Sequence, residues 1–189
     1  MTIPAELNPV IPSWARMSPK RLAHVTRVAA LAHRWATAMA VAPEERDRWL
    51  RAAWLHDALR DADDATLAAA APDVQGPIEL RHGPAAAARA EQDGERDQGV
   101  LLAVRYHSVG WPEWDMVGRV LYCADFLEPG RTFDPAGCAA LAERFPSDPV
   151  GVFREVVTRR LVYLIRSGWT MPDATFRLWN SLAAPDSGE

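Results

Sequence analysis

The chain has 189 residues, 49% hydrophobic and 24% charged, which is enough for one globular domain with a sizeable core. A formal net charge of −4 argues against nucleic acid or an acidic membrane surface as the main partner, since both call for a basic excess. Cys123 and Cys138 are isolated cysteines without a disulfide framework, which suits a reducing cytoplasm. The N-terminal stretch lacks the basic-then-apolar pattern of a signal peptide, and no window approaches the length of a membrane span.

Residues 1–16, with Pro4, Pro9 and Pro12, read as an extended arm. Residues 17–183 read as one domain and 184–189 as a frayed tail. Ser18-Pro19 opens a first helix, with a capping hydroxyl followed by proline at the first helical position. Leu22, Val25, Val28, Leu31, Ala32, Trp35 and Met39 then recur at helical spacing to about Val41. Pro43-Glu44-Glu45 starts a second helix expected to run through Trp54 to about Arg60. Asp63 or Asp64 caps a short Ala-rich helix ending before Pro72, and Pro84 begins another that runs to about Gln92. Further helices are expected at Gln98 to His107 and Asp115 to Leu127, broken by Gly110-Trp111-Pro112 and Pro129-Gly130. Late helices are expected at 136–144, 149–167 and 172–183. Nothing alternates with period two, so the chain reads as all-α.

Chemistry concentrates at acids and imidazoles set among apolar residues. Asp57 follows His56 in Ala52-Ala53-Trp54-Leu55-His56-Asp57-Ala58-Leu59, a core-like run with no Lys to neutralise the carboxylate. Burying an unpaired carboxylate costs several kcal/mol, so positive charge must lie against it. His24 shares the inward stripe of Val28, Leu31 and Trp35; alone, it would fit a core histidine bonded to a carbonyl. His82 precedes Gly83-Pro84 at the mouth of a helix, and alone would fit a surface loop. His107 ends the stripe of Val100 and Val104, and Asp125 is a second acid in an apolar helix, where an Arg partner would also satisfy it. Together they place four of the five histidines and two deep-set acids on five segments, the way helical bundles build metal sites. Imidazole and carboxylate ligands favour Fe, Mn, Co or Zn over Ca. Six ligands exceed one tetrahedral site, so two ions sharing Asp57 is the natural count. His33 lies about 180° around the first helix from His24 and reads as exposed.

The order His24, His56-Asp57 and a late Asp125 resembles the HD-domain metal-dependent phosphohydrolases, an all-α helical bundle. Ser18-Pro19-Lys20-Arg21-Leu22-Ala23-His24, His56-Asp57-Ala58-Leu59-Arg60-Asp61, His82-Gly83-Pro84, Arg105-Tyr106-His107-Ser108 and Ala124-Asp125-Phe126-Leu127-Glu128-Pro129-Gly130-Arg131 resemble the YqeK-type family more closely. The similarity runs from about Met17 to Asn180. It implies a symmetrical diadenosine tetraphosphate hydrolase with a di-iron centre, ligated by His24, His56, Asp57, His82, His107 and Asp125. The chain departs from the family with Arg60 in place of Lys, and with Ser108-Val109-Gly110-Trp111 where Thr-Thr-Gly-Arg is usual. Trp111 is therefore either a stacking surface for a base or a cover for the core.

The sequence thus points to hydrolysis of a small nucleotide substrate, a dinucleoside polyphosphate, at two first-row transition ions, iron foremost and Mn or Co as alternatives. Asp57 and Arg60 are the expected catalytic residues. Arg119, Arg131 and Trp111 are the expected substrate contacts, each with a packing or solvated-surface alternative. Another HD-type nucleotide phosphohydrolase, or a nucleotide-binding module with little turnover, fits the same residues, and the assembly is left open between monomer and homodimer.

Overall fold

The computed structural model describes Leu7, residues 10–74 and residues 77–183, and among these it contains nine α-helices and no strand. The expected tail at 184–189 and most of the first nine residues of the arm lie outside the described residues. In chain order the helices are α1 (Pro19–Ala38), α2 (Pro43–Leu55), α3 (Asp64–Ala70), α4 (His82–Gln92), α5 (Gln98–Tyr106), α6 (Met116–Leu127), α7 (Pro135–Arg144), α8 (Pro149–Arg166) and α9 (Asp173–Ala183).

Side-chain caps fix most of the starts. The Ser18 hydroxyl accepts from the Arg21 N–H at the head of α1. Asp63, Asp97, Asp115, Asp134 and Asp148 accept backbone N–H bonds at the heads of α3, α5, α6, α7 and α8. Each such cap is worth about 1 kcal/mol. Three starts and stops differ from the sequence expectation, the first being α1, which ends at Ala38 short of Val41. Helix α2 ends at Leu55 instead of near Arg60, and His56 to Asp61 form successive turns. These turns are closed by the Ala58, Arg60 and Ala62 N–H groups on the Leu55, Asp57 and Leu59 carbonyls. Helix α4 begins at His82, two residues before Pro84, so His82 sits in its first turn.

The core is built where α1, α2, α5 and α6 pack against one another, with α4 laid on α5 and α7 and α8 on α6. Trp35 stacks on Phe145 with ring centroids 3.9 Å apart and donates its indole N–H to the Ala142 carbonyl at 2.8 Å. Buried rings need such a polar outlet. Helix α9 docks on the loop between α5 and α6. Thr175 Oγ1 donates to the Val109 carbonyl at 2.6 Å, and Leu178 fills the space that a side chain on Gly110 would take. Gly110 also has φ of 87°, a conformation only glycine adopts at no steric cost. No described helix is long and apolar enough to cross a membrane.

The end of the arm is sewn to the turns after α2. Arg16 N–H donates to the Ala58 carbonyl at 2.7 Å and Asp61 N–H to the Arg16 carbonyl at 3.2 Å. Asp61 also accepts from the Ser18 N–H at 2.7 Å, which ties the head of α1 to the segment bearing His56 and Asp57.

Candidate metal centre

The six residues singled out by the sequence are all buried. They arrive from α1 (His24), the turns after α2 (His56 and Asp57), the head of α4 (His82), the end of α5 (His107) and α6 (Asp125). The ending of α2 at Leu55 matters here. In a continuing helix, adjacent side chains diverge by about 100°. In the turns, His56 and Asp57 reach one cluster together, with His56 Nε2 3.6 Å from Asp57 Oδ2. Glycine brings His82 to His107: a Cβ on Gly83 would lie 3.0 Å from the Val104 and Arg105 carbonyls and 3.1 Å from the His107 ring, so α4 meets α5 at backbone contact.

Asp57 divides the cluster in two. Its Oδ2 lies 3.6 Å from His24 Nε2 and 3.6 Å from His56 Nε2. Its Oδ1 lies 3.1 Å from His82 Nε2 and 3.5 Å from His107 Nε2. Each half forms a triad able to hold an ion, His24–His56–Asp57 and Asp57–His82–His107. Asp125 Oδ1 joins the first half at 3.2 Å from His24 Nε2. Donors about 2.0–2.2 Å from one ion stand roughly 3.0–3.5 Å from each other, close to the spacings seen.

The protons test whether a cation fits. His56 Nδ1 lies 2.8 Å from the Ala53 carbonyl and His107 Nδ1 2.8 Å from the Val104 carbonyl. A carbonyl only accepts, so each Nδ1 carries a proton and each ring turns its Nε2 inward. The His56 pKa is pushed down to about 4, by burial above all, so this ring is neutral. His56 Nε2 nevertheless points at His24 Nε2, 3.4 Å away, and at the Asp57 carboxylate. A bare His56 Nε2 lone pair facing a carboxylate calls for a cation between them, and the donor set therefore fits a metal ion.

The other shifts agree. Burial disfavours the charged form of Asp57, but His56 beside it and the His107 and His82 contacts hold its carboxyl well below the usual range. Burial likewise opposes ionisation of Asp125, which Arg131, His24 and Arg160 overcome. Burial alone would lower His24, yet Asp125 and Glu128 at its two nitrogens raise it, marking a place that favours positive charge. His82 is lowered, chiefly by burial.

Around the cluster stand residues that the sequence reading did not single out. Glu128 accepts from His24 Nδ1 at 3.1 Å, and it is itself held by Arg27 and by the Gly130 N–H at 2.7 Å. Such outer carboxylates orient ligand imidazoles and raise their basicity. Its pKa falls to about 2, because His24 and Arg27 outweigh its burial. Arg21 donates to Asp57 Oδ2 at 2.6 Å, and Arg160 donates to Asp125 Oδ2 at 2.8 Å while lying 4.1 Å over the Tyr122 ring. The signal for Arg21 was its place one helical turn before His24, and Glu128 stands one turn after Asp125.

Of the expected substrate contacts, Arg131 is at the cluster, donating to the Asp125 carboxylate and, at 2.7 Å, to its main-chain carbonyl. Arg60 is half-buried in the turns, and its charge acts on His82. Arg119 instead lies 5.6 Å over the Phe153 ring. Trp111 stacks on Tyr106 at 4.3 Å, with Arg177 4.9 Å over it. The contacts of these last two lie outside the cluster. His33, expected to be exposed, is half-buried.

A family model of the HD domain matches residues 21–142. The symmetrical bis(5'-nucleosyl)-tetraphosphatase of Bacillus subtilis (strain 168) is 28% identical over 107 residues, 56% of this chain and 56% of that protein. The protein of the same name from Staphylococcus aureus (strain NCTC 8325 / PS 47) is 40% identical over 55 residues, 29% of this chain and 28% of that one. The chain thus matches at most about half the length of these relatives. Among solved structures, a predicted HD superfamily hydrolase involved in NAD metabolism from Clostridium acetobutylicum superposes with a TM-score of 0.73 at 21% identity, covering 88% of this chain and 90% of that one. That likeness establishes a shared all-α fold.

Proposed function

The chain belongs to the HD domain family, and we propose that it hydrolyses dinucleoside polyphosphates, cleaving diadenosine tetraphosphate symmetrically into two ADP. The observation that carries this reading is the split of Asp57 between two buried donor triads with arginines at their edge. The names of the matching relatives support the choice of substrate.

In this reading His24, His56, Asp57 and Asp125 would hold one ion, and Asp57, His82 and His107 would hold the other. Two first-row divalent ions, iron foremost and manganese or cobalt as alternatives, would supply Lewis-acid activation of water and neutralise charge on the phosphoryl oxygens. The chain's own residues set the geometry. Glu128 and the Ala53 and Val104 carbonyls lock three imidazoles with Nε2 inward. Arg21, Arg60 and Arg131, each only partly buried, position the polyphosphate with guanidinium forks that match phosphate oxygens. Water adds to one of the two central phosphorus atoms as the bridging anhydride bond breaks, so one water is consumed and two nucleoside diphosphates leave. Residues 17–183 form the proposed catalytic domain and the cytoplasm the proposed compartment, supported by two buried free cysteines.

Chromatography of products from protein purified without oxygen tests the reading. ADP as the sole product from diadenosine tetraphosphate is expected. ATP with AMP would overturn symmetrical cleavage, and release of phosphate from mononucleotides in preference would make the protein a nucleotidase.

A further inference from the structure

A cleft of about 310 Å³ opens beside the metal centre, between α1, the end of α6 and α7. It connects to the centre through two side chains that belong to both. Arg131 lines the cleft and holds the Asp125 carboxylate, while Glu128 lines it and holds His24. The walls are apolar and mostly short, with Leu31 and Leu127 bordering the space and Ala142 set in the α7 wall. At the rim Arg34 pairs with Glu143 at 2.8 Å, and both are largely exposed.

We propose that this cleft takes one nucleoside of the nucleotide substrate, a proposal that rests on the reading in the preceding section. Its volume falls at the small end of ligand pockets, which suits one base and ribose and excludes a whole dinucleotide. Apolar walls of small residues admit a flat ring, whereas a polyphosphate alone would need cations along its length. The two chemistries meet at Arg131, one-third exposed, whose guanidinium stands between the cluster and the cleft. A phosphate chain crossing Arg131 would carry its nucleoside into the cleft. The rim pair then offers a donor and an acceptor to the edge of the base.

Ala139 is exposed on α7 and lines the cleft, so Ala139→Phe fills it without disturbing the buried core. Ala140→Phe, next along the exposed face of the same helix, controls for an added surface ring. Calorimetric titration of the metal-loaded proteins with ADP and with inorganic pyrophosphate reads the site directly, without turnover. Ala139→Phe is expected to weaken ADP at least tenfold, to leave pyrophosphate within twofold of wild type, and to keep wild-type metal content and melting temperature. Ala140→Phe is expected to bind both as wild type does. Equal ADP affinity in wild type and Ala139→Phe would overturn the cleft while leaving the proposed hydrolysis standing. Equal loss of ADP and pyrophosphate in Ala139→Phe would also overturn it, by showing damage to the metal centre. Wild-type protein that binds pyrophosphate but not ADP would overturn both readings.

Discussion

The Glu128 carboxylate meets Nδ1 of His24 at 3.1 Å, while Nε2 of the same ring lies 3.2 Å from Asp125. One imidazole is thus held at both nitrogens, with its orientation set from outside the donor cluster. Glu128 cannot swing away, because Arg27 and the Gly130 N–H occupy its other positions. Glu128→Gln keeps the shape and removes the charge that favours the Nδ1–H tautomer. Metal affinity is expected to fall by about 10- to 100-fold, the usual effect of losing an outer-shell partner. Competition with a fluorescent chelator measures it, and wild-type affinity in the variant would show Glu128 to be a structural partner of Arg27 alone.

A second prediction concerns the contact that seats His82. Val104 and Arg105 carbonyls stand 3.0 Å from where a Gly83 Cβ would be, so Gly83→Val must push α4 off α5. Overpacking of this kind costs about 1–3 kcal/mol. His82 moves away from His107, and the half of the centre that contains both should empty first. Elemental analysis is expected to fall from nearly two ions per chain to nearly one. Retention of both ions would mean that the close approach is not what places His82.

The six cluster residues were legible because imidazoles and acids among apolar residues are costly unless a ligand explains them. The helix count and most boundaries followed from apolar periodicity and from caps such as Ser18 and Asp63, which are local signals. What the sequence hid was non-local or irregular. The run from Trp54 to Arg60 looks helical throughout, yet the chain leaves the helix at Leu55 so that His56 and Asp57 can act together. Glu128 and Arg160 resemble solvated helix charges until the fold sets them against His24 and Asp125. Arg119 resembles a site arginine by its place on α6, but it lies over Phe153 of α8.

Acid sensitivity away from the centre should be visible at Asp97. This residue caps α5 and accepts from Arg48 of α2 at 2.6 and 3.1 Å, and the Arg48 contact is the main reason its pKa lies below the ordinary 3.8. Because the folded-state pKa is lower than the unfolded one, the stabilisation is complete above pH 3.8 and lost as pH falls through the folded value. Asp97→Asn still caps the helix and isolates the ion pair. At pH 7 it should cost about 1 kcal/mol, as partly exposed pairs do. Urea unfolding of metal-free protein at pH 7 and at pH 3 should show that gap closing; a gap independent of pH would assign the effect to packing.

The bridge itself gives the sharpest test. Asp57 presents Oδ1 to His82 and His107 and Oδ2 to His24 and His56, so a single carboxylate serves both triads. Asp57→Asn retains the shape and one oxygen acceptor, but an amide nitrogen cannot ligate and the negative charge is gone. At least one ion should be lost, and turnover of diadenosine tetraphosphate should fall by several orders of magnitude, since the chemistry requires both. The fold should survive, because a neutral amide is cheaper to bury than a carboxylate, and Arg21, the other cation on Asp57, is partly exposed and can turn to water. Melting curves with and without Mn²⁺ separate the cases. Wild type should rise in melting temperature with added ion, as any ligand of the native state requires, and the variant should rise much less. A variant with full metal content and near-normal turnover would show that Asp57 serves only to pair with Arg21.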